Sequence, residues 1–195
     1  MGGAQDRLIL ASTSPQRHAI LGQLRIPFEA VPPQYVEHDP HDADPTDLVR
    51  RHAEGKARSV HVEGRITLGV DTTVHLDGRV YGKAADPAHA TRMLHELAGR
   101  THAVVSGLCL LGTGDDVVAH ERTDVTVRHV SEDTLDAYVA SGEWEGRAGA
   151  YAIQGLGGRL VERIDGDYLN VVGLPGALLV SILESRAPKL LQTRR

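Results

Sequence analysis

The run Arg7-Leu8-Ile9-Leu10-Ala11 stops within three residues at Ser14-Pro15, and this junction constrains the fold more than any other stretch. Short apolar runs of this kind suit a buried strand. Ser14 stands where an N-cap hydroxyl belongs, and Pro15 where the first helical residue has no N–H to lose. Ile20, Leu21 and Leu24 then give the following helix an apolar face. A strand, a tight turn and a helix start therefore fall inside residues 7–17.

The alternation continues. Phe28 to Val36 reads as extended, Glu37 to Pro45 as polar loop, and Asp44-Pro45 opens a helix carrying Leu48, Ala53, Lys56 and Ala57. Ile66 to Val70 reads as a second short strand ending at Asp71-Thr72-Thr73. Val74–Leu76, Asp77-Gly78 and Arg79–Tyr81 form the pattern of a hairpin with a primed turn. Asp86-Pro87 opens a helix stopped at Gly99, and Ser131 opens one stopped at Gly142. Between these helices lie two long extended stretches, Thr101–Leu111 and Glu121–Val130. The five glycines of residues 146–158, interrupted by Tyr151-Ala152-Ile153-Gln154, read as an ordered functional loop. A strand over Arg159–Ile164 and a last helix over Leu174–Ser185 complete the pattern, which predicts an α/β body with a mixed twisted sheet and flanking helices. With no repeat and no low-complexity linker, residues 1–195 are expected to form a single domain, with two lobes around a cleft and peripheral tails at 1–6 and 187–195.

Composition narrows the function. The net charge is -5, no long Lys/Arg block occurs, and aromatic residues make up 4% of the chain, which argues against stable nucleic-acid binding. The single cysteine, Cys109, excludes a disulfide framework within one chain and suits a reducing compartment. The start of the chain has neither a signal-peptide nor a membrane-spanning pattern, so a soluble cytoplasmic protein without membrane partners is expected. There is no GxxxxGK[ST], no GxGxxG after the first strand, no GxSxG and no HExxH among the 11 histidines, and His38 with His41 makes no metal centre. Small anionic ligands pass this filter.

The junction at 12–17 has two uses. Its hydroxyls and helix N–H groups can cap the helix or hold phosphate oxygens, with Arg17 adding a bidentate contact. Asp71, at the expected end of a strand, can start a turn, bind a divalent ion or orient a water. A carboxylate is a weak base at neutral pH, so metal assistance is the more economical mechanism. Lys56, Lys83 and Glu37 complete an inventory suited to a polyphosphate with Mg²⁺.

LASTSPQR at 10–17, GVDTTV at 69–74, GK at 82–83, SGEWEGRAGAYAIQG at 141–155 and VERIDGDYLNVVGLP at 161–175 together resemble the Maf-like nucleoside triphosphate pyrophosphatases. These motifs occur in order and span nearly the whole chain. The resemblance implies a Maf/ITPase-like fold, commonly dimeric, and hydrolysis of the α–β phosphoanhydride to a nucleoside monophosphate and pyrophosphate. It implies a divalent cation, Mg²⁺ or Mn²⁺. It also implies that Asp71 is the catalytic acidic residue, as proton acceptor or as the group ordering metal-bound water, with Glu37 near metal and water. Ser12, Arg17, Lys56 and Lys83 are implied as binders of the triphosphate, joined by the Ser14 hydroxyl of the same helix start, with Lys83 also serving catalysis and Thr72 and Gln154 as selectors of the base.

Asp71-Thr72 with Ile153-Gln154-Gly155 resembles the subgroup acting on dTTP and UTP. Two positions depart from it. Gln16 stands where that subgroup usually has a second arginine, removing a charge and a fork of donors, and Thr73 replaces the usual valine. Gln16 therefore joins the specificity positions, and the substrate set is dTTP/UTP or a broader one including modified nucleotides. The alternative is a non-catalytic nucleotide-binding regulator, since members of the family have been linked to septum formation and cell division.

Overall fold

A computed structural model describes residues 7–38 and 44–192. The elements run β1 (Leu8–Ala11), α1 (Pro15–Gln23), β2 (Phe28–Val31), α2 (Pro45–Val60), β3 (Thr67–Leu76), β4 (Arg79–Tyr81), α3 (Pro87–Leu97), β5 (Thr101–Leu111), β6 (Val117–Val127), α4 (Glu132–Ala140), β7 (Val161–Asp165), α5 (Tyr168–Val172) and α6 (Gly176–Arg186). The strands form a seven-stranded sheet of order β2-β1-β3-β5-β6-β7, with β4 on β3. β1 is parallel to β2 and β3, while β4 on β3 and β7 on β6 are antiparallel, so the sheet is mixed as the pattern predicted. Among the described residues no helix is long and apolar enough to cross a membrane.

The chain divides into two compact units. The first comprises 1–71, 106–121 and 173–195, and the second 72–105 and 122–172. In the first, α2 lies against β1 and β3, and the contact depends on missing side chains. A Cβ on Gly69 would fall 2.9 Å from that of Ala57 and overlap the Ala53 carbonyl, and one on Gly107 would fall 2.7 Å from the amide of Arg50. Ala53, Ala57, Cys109 and Leu111 pack together in this unit, and burial pushes the Cys109 thiol pKa up to about 12, consistent with an inert small hydrophobe. In the second unit α3 and α4 bury Met93, Leu94, Leu97, Leu135 and Tyr138 with Val104, Val125 and Trp144.

Local chemistry accounts for the element ends. Asp44 caps α2 by accepting from the amides of Thr46 and Asp47, and Asp86 caps α3 by accepting from His89. Asp77 and Gly78 both have positive φ, 49° and 79°, as the primed hairpin turn requires.

Several expectations are corrected. The extended reading of 28–36 shortens to Phe28–Val31, because Pro32 and Pro33 have no N–H to continue a ladder. β3 does not end at Asp71 but runs to Leu76, because Thr72 and Thr73 are β-branched and fit the pleat as well as they fit a turn. β6 starts at Val117, four residues before the expected Glu121, and α5 was not foreseen. The terminal stretch from 187 is covered in part. Pro188–Leu191 form a 3₁₀ turn and Leu190 is buried, while residues 1–6 and 193–195 lie outside the described residues, as do 39–43, including His41.

Placing a side chain in the α2–β3 contact tests this packing. Gly69→Val should destabilise the protein by about 1–3 kcal/mol. Urea unfolding should show a lower midpoint with an unchanged slope, and an unchanged midpoint would show that the close approach is not required.

Candidate active site

Ser14 is the N-cap of α1, with extended backbone angles, and its hydroxyl accepts from the Arg17 amide at 3.5 Å. The same hydroxyl donates to Gln16 Oε1 at 3.0 Å, and Ser12 Oγ accepts from the Ser14 amide at 3.1 Å. Arg17 folds back over this turn. Its Nη1 donates to Ser12 Oγ at 3.3 Å and its Nε to the Gly173 carbonyl at 2.9 Å. Ser12, Ser14, Gln16 and Arg17 are thereby joined in one network at a helix N-terminus, where backbone dipoles favour an anion. Gly173 had no role in the sequence reading. It lies inside the late motif, but a backbone acceptor leaves no signature in residue type.

Helix α2 and strand β3 supply the other half of the constellation. Lys56 projects from the face of α2 that packs on β3, and its ammonium is 2.5 Å from Asp71 Oδ1 and 2.6 Å from Glu37 Oε1. The Lys56 and Asp71 side chains are 10% and 13% exposed, so their attraction is little screened, whereas Glu37 is 48% exposed. Burial lowers the Arg17 pKa, and the charges of Asp71 and Glu37 oppose that shift, so the guanidinium stays charged and feels both carboxylates. The first unit thus holds two contact groups, Ser12, Ser14, Gln16 and Arg17 in one and Glu37, Lys56 and Asp71 in the other, with the Arg17 charge felt by both carboxylates.

The same contacts test the cation expected from the sequence. Among the described residues no group of three or more His, Cys, Asp or Glu side chains gathers as a metal site. Glu37 and Asp71 nevertheless converge on the Lys56 ammonium with one oxygen each, which leaves each carboxylate a second oxygen. Two hard carboxylate oxygens fit Mg²⁺ or Mn²⁺, which commonly take one or two protein carboxylates and complete their shell with water and substrate phosphate.

Thr72, Lys83 and Gln154 belong to the second unit. Thr72 follows Asp71 on β3 and is half-buried. Lys83 is exposed just beyond β4 and forms a backbone bridge with Ala148, and the Gly149 amide donates to the carbonyls of Tyr81 and Gly82. The glycine-rich loop is ordered, as expected. The Ala152 amide donates to Tyr138 Oη at 3.0 Å, and His102 Nε2 lies 2.8 Å from Tyr151 Oη. Glu143 accepts from the amides of Leu156 and Gly157 at 3.0 and 2.8 Å. Gln154 is exposed between these anchors.

Arg17 at a hydroxyl-rich helix start and Lys56 between two carboxylates, in one unit of a mixed α/β fold, define the class of protein as an α/β protein whose charge inventory suits phosphate-bearing ligands. The particular family follows from comparison with known proteins. The profile described as "Maf-like protein" matches residues 7–186. A protein of Symbiobacterium thermophilum named dTTP/UTP pyrophosphatase is 47% identical over 172 residues, covering 87% of this chain and 89% of that one. Proteins of the same name from Nitratidesulfovibrio vulgaris and Moorella thermoacetica are each 46% identical, covering 94% and 87% of this chain and 89% and 90% of theirs. The chain belongs to the Maf family.

The anchor beneath the glycine-rich loop has a pH signature. Burial holds the His102 pKa down to about 4 from 6.5, so the folded state keeps the ring neutral while the unfolded chain protonates it. Its stabilising effect is complete above pH 6.5 and is lost as the pH falls towards 4. Between pH 7.5 and 5 this amounts to about 2 kcal/mol. Chemical denaturation at the two pH values should show a loss smaller by that amount in His102→Gln, and an identical loss in both proteins would contradict the assignment.

Proposed function

We propose that this protein is a metal-dependent nucleoside triphosphate pyrophosphatase acting on dTTP and UTP. The observation that carries the reading is the Lys56 ammonium held between Asp71 and Glu37 in the same unit as the Arg17–Ser12 turn. The names of the relatives support the reaction and the pyrimidine substrates. The reading takes the enzyme to be cytoplasmic, and a homodimer on family resemblance.

Each residue then has a chemical task. The hydroxyls of Ser12 and Ser14 and the start of α1 bind phosphate oxygens, and Arg17, oriented by Gly173, presents its fork of donors to them. Glu37 and Asp71 would hold the divalent cation, which when bound would polarise the phosphate and acidify water. A water oxygen bonds to the α-phosphorus as the bond from that phosphorus to the bridging oxygen breaks. Pyrophosphate leaves with the bond pair. Asp71 Oδ1 is engaged by Lys56, so Oδ2 is the oxygen that would face the cation and order the attacking water, whose proton is released to solvent. Lys56 keeps the two carboxylates close despite their repulsion and offsets charge growing on the phosphoryl oxygens. By family resemblance Lys83 assists binding and turnover, and Thr72 and Gln154 select the base. Gln16, tied to the cap hydroxyl, contributes an amide where the subgroup usually has a second guanidinium, and the loss of that charge and fork of donors widens the substrate set beyond a strict pyrimidine preference.

Asp71→Asn should lower kcat by roughly 10²–10⁴-fold while leaving the chain folded. A panel of canonical and modified nucleoside triphosphates, assayed for monophosphate and pyrophosphate, should show dTTP and UTP turned over fastest. Full pyrophosphate release by folded Asp71→Asn would remove Asp71 from its role. Equal turnover of purines and pyrimidines would remove the base preference and leave the reaction.

A further inference from the structure

The segment that carries Glu37 has no secondary structure of its own, yet it is fastened to α2 at successive points. The Gln34 amide donates to Ser59 Oγ at 3.1 Å, and that hydroxyl donates to the Lys56 carbonyl at 2.8 Å. Tyr35 Oη lies 3.0 Å from His52 Nδ1, with the two rings edge to face at 5.6 Å. Glu37 reaches Lys56, and Arg51 Nη2 donates to the His38 carbonyl at 3.2 Å. Residues 34–38 therefore run antiparallel along α2, from Ser59 back to Arg51.

The strap's tyrosine lies where α2 has no side chain. A Cβ on Gly55 would fall 2.5 Å from Tyr35 Cζ and 2.6 Å from Cδ2, so the ring lies flat on the helix only because residue 55 is glycine. Glycine costs a helix about 1 kcal/mol against alanine, and here that cost admits the ring. Its hydroxyl meets His52, which is 1% exposed on the buried side of the same helix. Gly55 and Lys56 are adjacent, so the ring's seat and the partner of Glu37 are set by one turn of helix. Glu37 is half-exposed on a loop and its long side chain has many rotamers. Without the ring, the ion pair to Lys56 would be helped only by two exposed hydrogen bonds, Gln34 to Ser59 and Arg51 to the His38 carbonyl, in ordering the segment.

We propose that Tyr35, seated on Gly55 and His52, is a positioning residue that holds Glu37 at Lys56 and Asp71. The proposal rests on the catalytic reading of Glu37 given above. It predicts that loss of the ring acts through Glu37 and on kcat, since a misplacement of about 1 Å in a reacting group costs as much as 10²-fold.

The test compares Tyr35→Ala, Tyr35→Phe, Gly55→Ala, Glu37→Gln and the double variant Tyr35→Ala/Glu37→Gln, with dTTP and Mg²⁺. Tyr35→Ala should lower kcat roughly 10- to 100-fold with KM within about twofold, and Tyr35→Phe, which keeps the ring, should recover most of it. Gly55→Ala should lower kcat similarly, by displacing the ring, without lowering Tm, because alanine favours the helix. In the Glu37→Gln background Tyr35→Ala should cost nothing more. Hydrogen exchange gives a readout independent of turnover: amides of 34–38 should exchange faster in Tyr35→Ala and Gly55→Ala while those of α2 stay protected. Unchanged exchange at 34–38, or an equal loss of kcat in both backgrounds, overturns the proposal. Full activity of Glu37→Gln overturns the catalytic reading of Glu37, and the positioning role with it, even where exchange shows the strap loosened.

Discussion

The Lys56 ammonium lies within 2.6 Å of two carboxylates, and the rest of the first unit is arranged so that it can. Two like charges sharing a largely buried point repel strongly where water is scarce, and an uncompensated buried charge costs several kcal/mol. Lys56 resolves that conflict by pairing with both. The balance is local, since it requires a cation on a rigid helix, one carboxylate on a strand and one on a strap. Arg17 adds a second positive charge, and the same two carboxylates oppose, without cancelling, the cost of its burial.

Packing turns this charge balance into geometry. Lys56 reaches Asp71 because α2 sits unusually close to β3, and it does so over glycine: Gly69 precedes Asp71 by two residues and faces Ala53 and Ala57 of the helix. The helix that gives up bulk towards the sheet at Ala53 and Ala57 gives it up again on its opposite side at Gly55, where the Tyr35 ring settles. Small residues at 53, 55 and 57 thus flank Lys56 with close neighbours on two sides. Preorganisation of this kind spares the site the entropy of ordering its charges when substrate arrives.

Much of this was legible in the sequence, for physical reasons that can be named. Ser14-Pro15, Asp44-Pro45 and Asp86-Pro87 mark helix starts because a cap oxygen and a residue without an N–H suit no other place so well, and α1, α2 and α3 begin there. Asp77-Gly78 marked its hairpin because both positions need positive φ. Asp71 was harder to place. A carboxylate followed by two threonines satisfies both a turn and a strand, and pairing with neighbours decided for a strand that continues to Leu76. Arg17, Lys56, Glu37 and Asp71 were legible as a charge inventory, but their direct links were not, since residues 37, 56 and 71 meet only through tertiary packing. Gly173 and Tyr35 were missed for a similar reason. One contributes a backbone carbonyl and the other a ring seated on a distant glycine.

The kcat of Lys56→Met measures most directly whether the two carboxylates and the ammonium work as one unit. Methionine keeps an unbranched, largely apolar stem in the same space and removes only the charge. The account predicts a folded protein whose pyrophosphate release falls by roughly 10²-fold or more, the scale expected when a charge-stabilising group is removed. Wild-type kcat in folded Lys56→Met would contradict it.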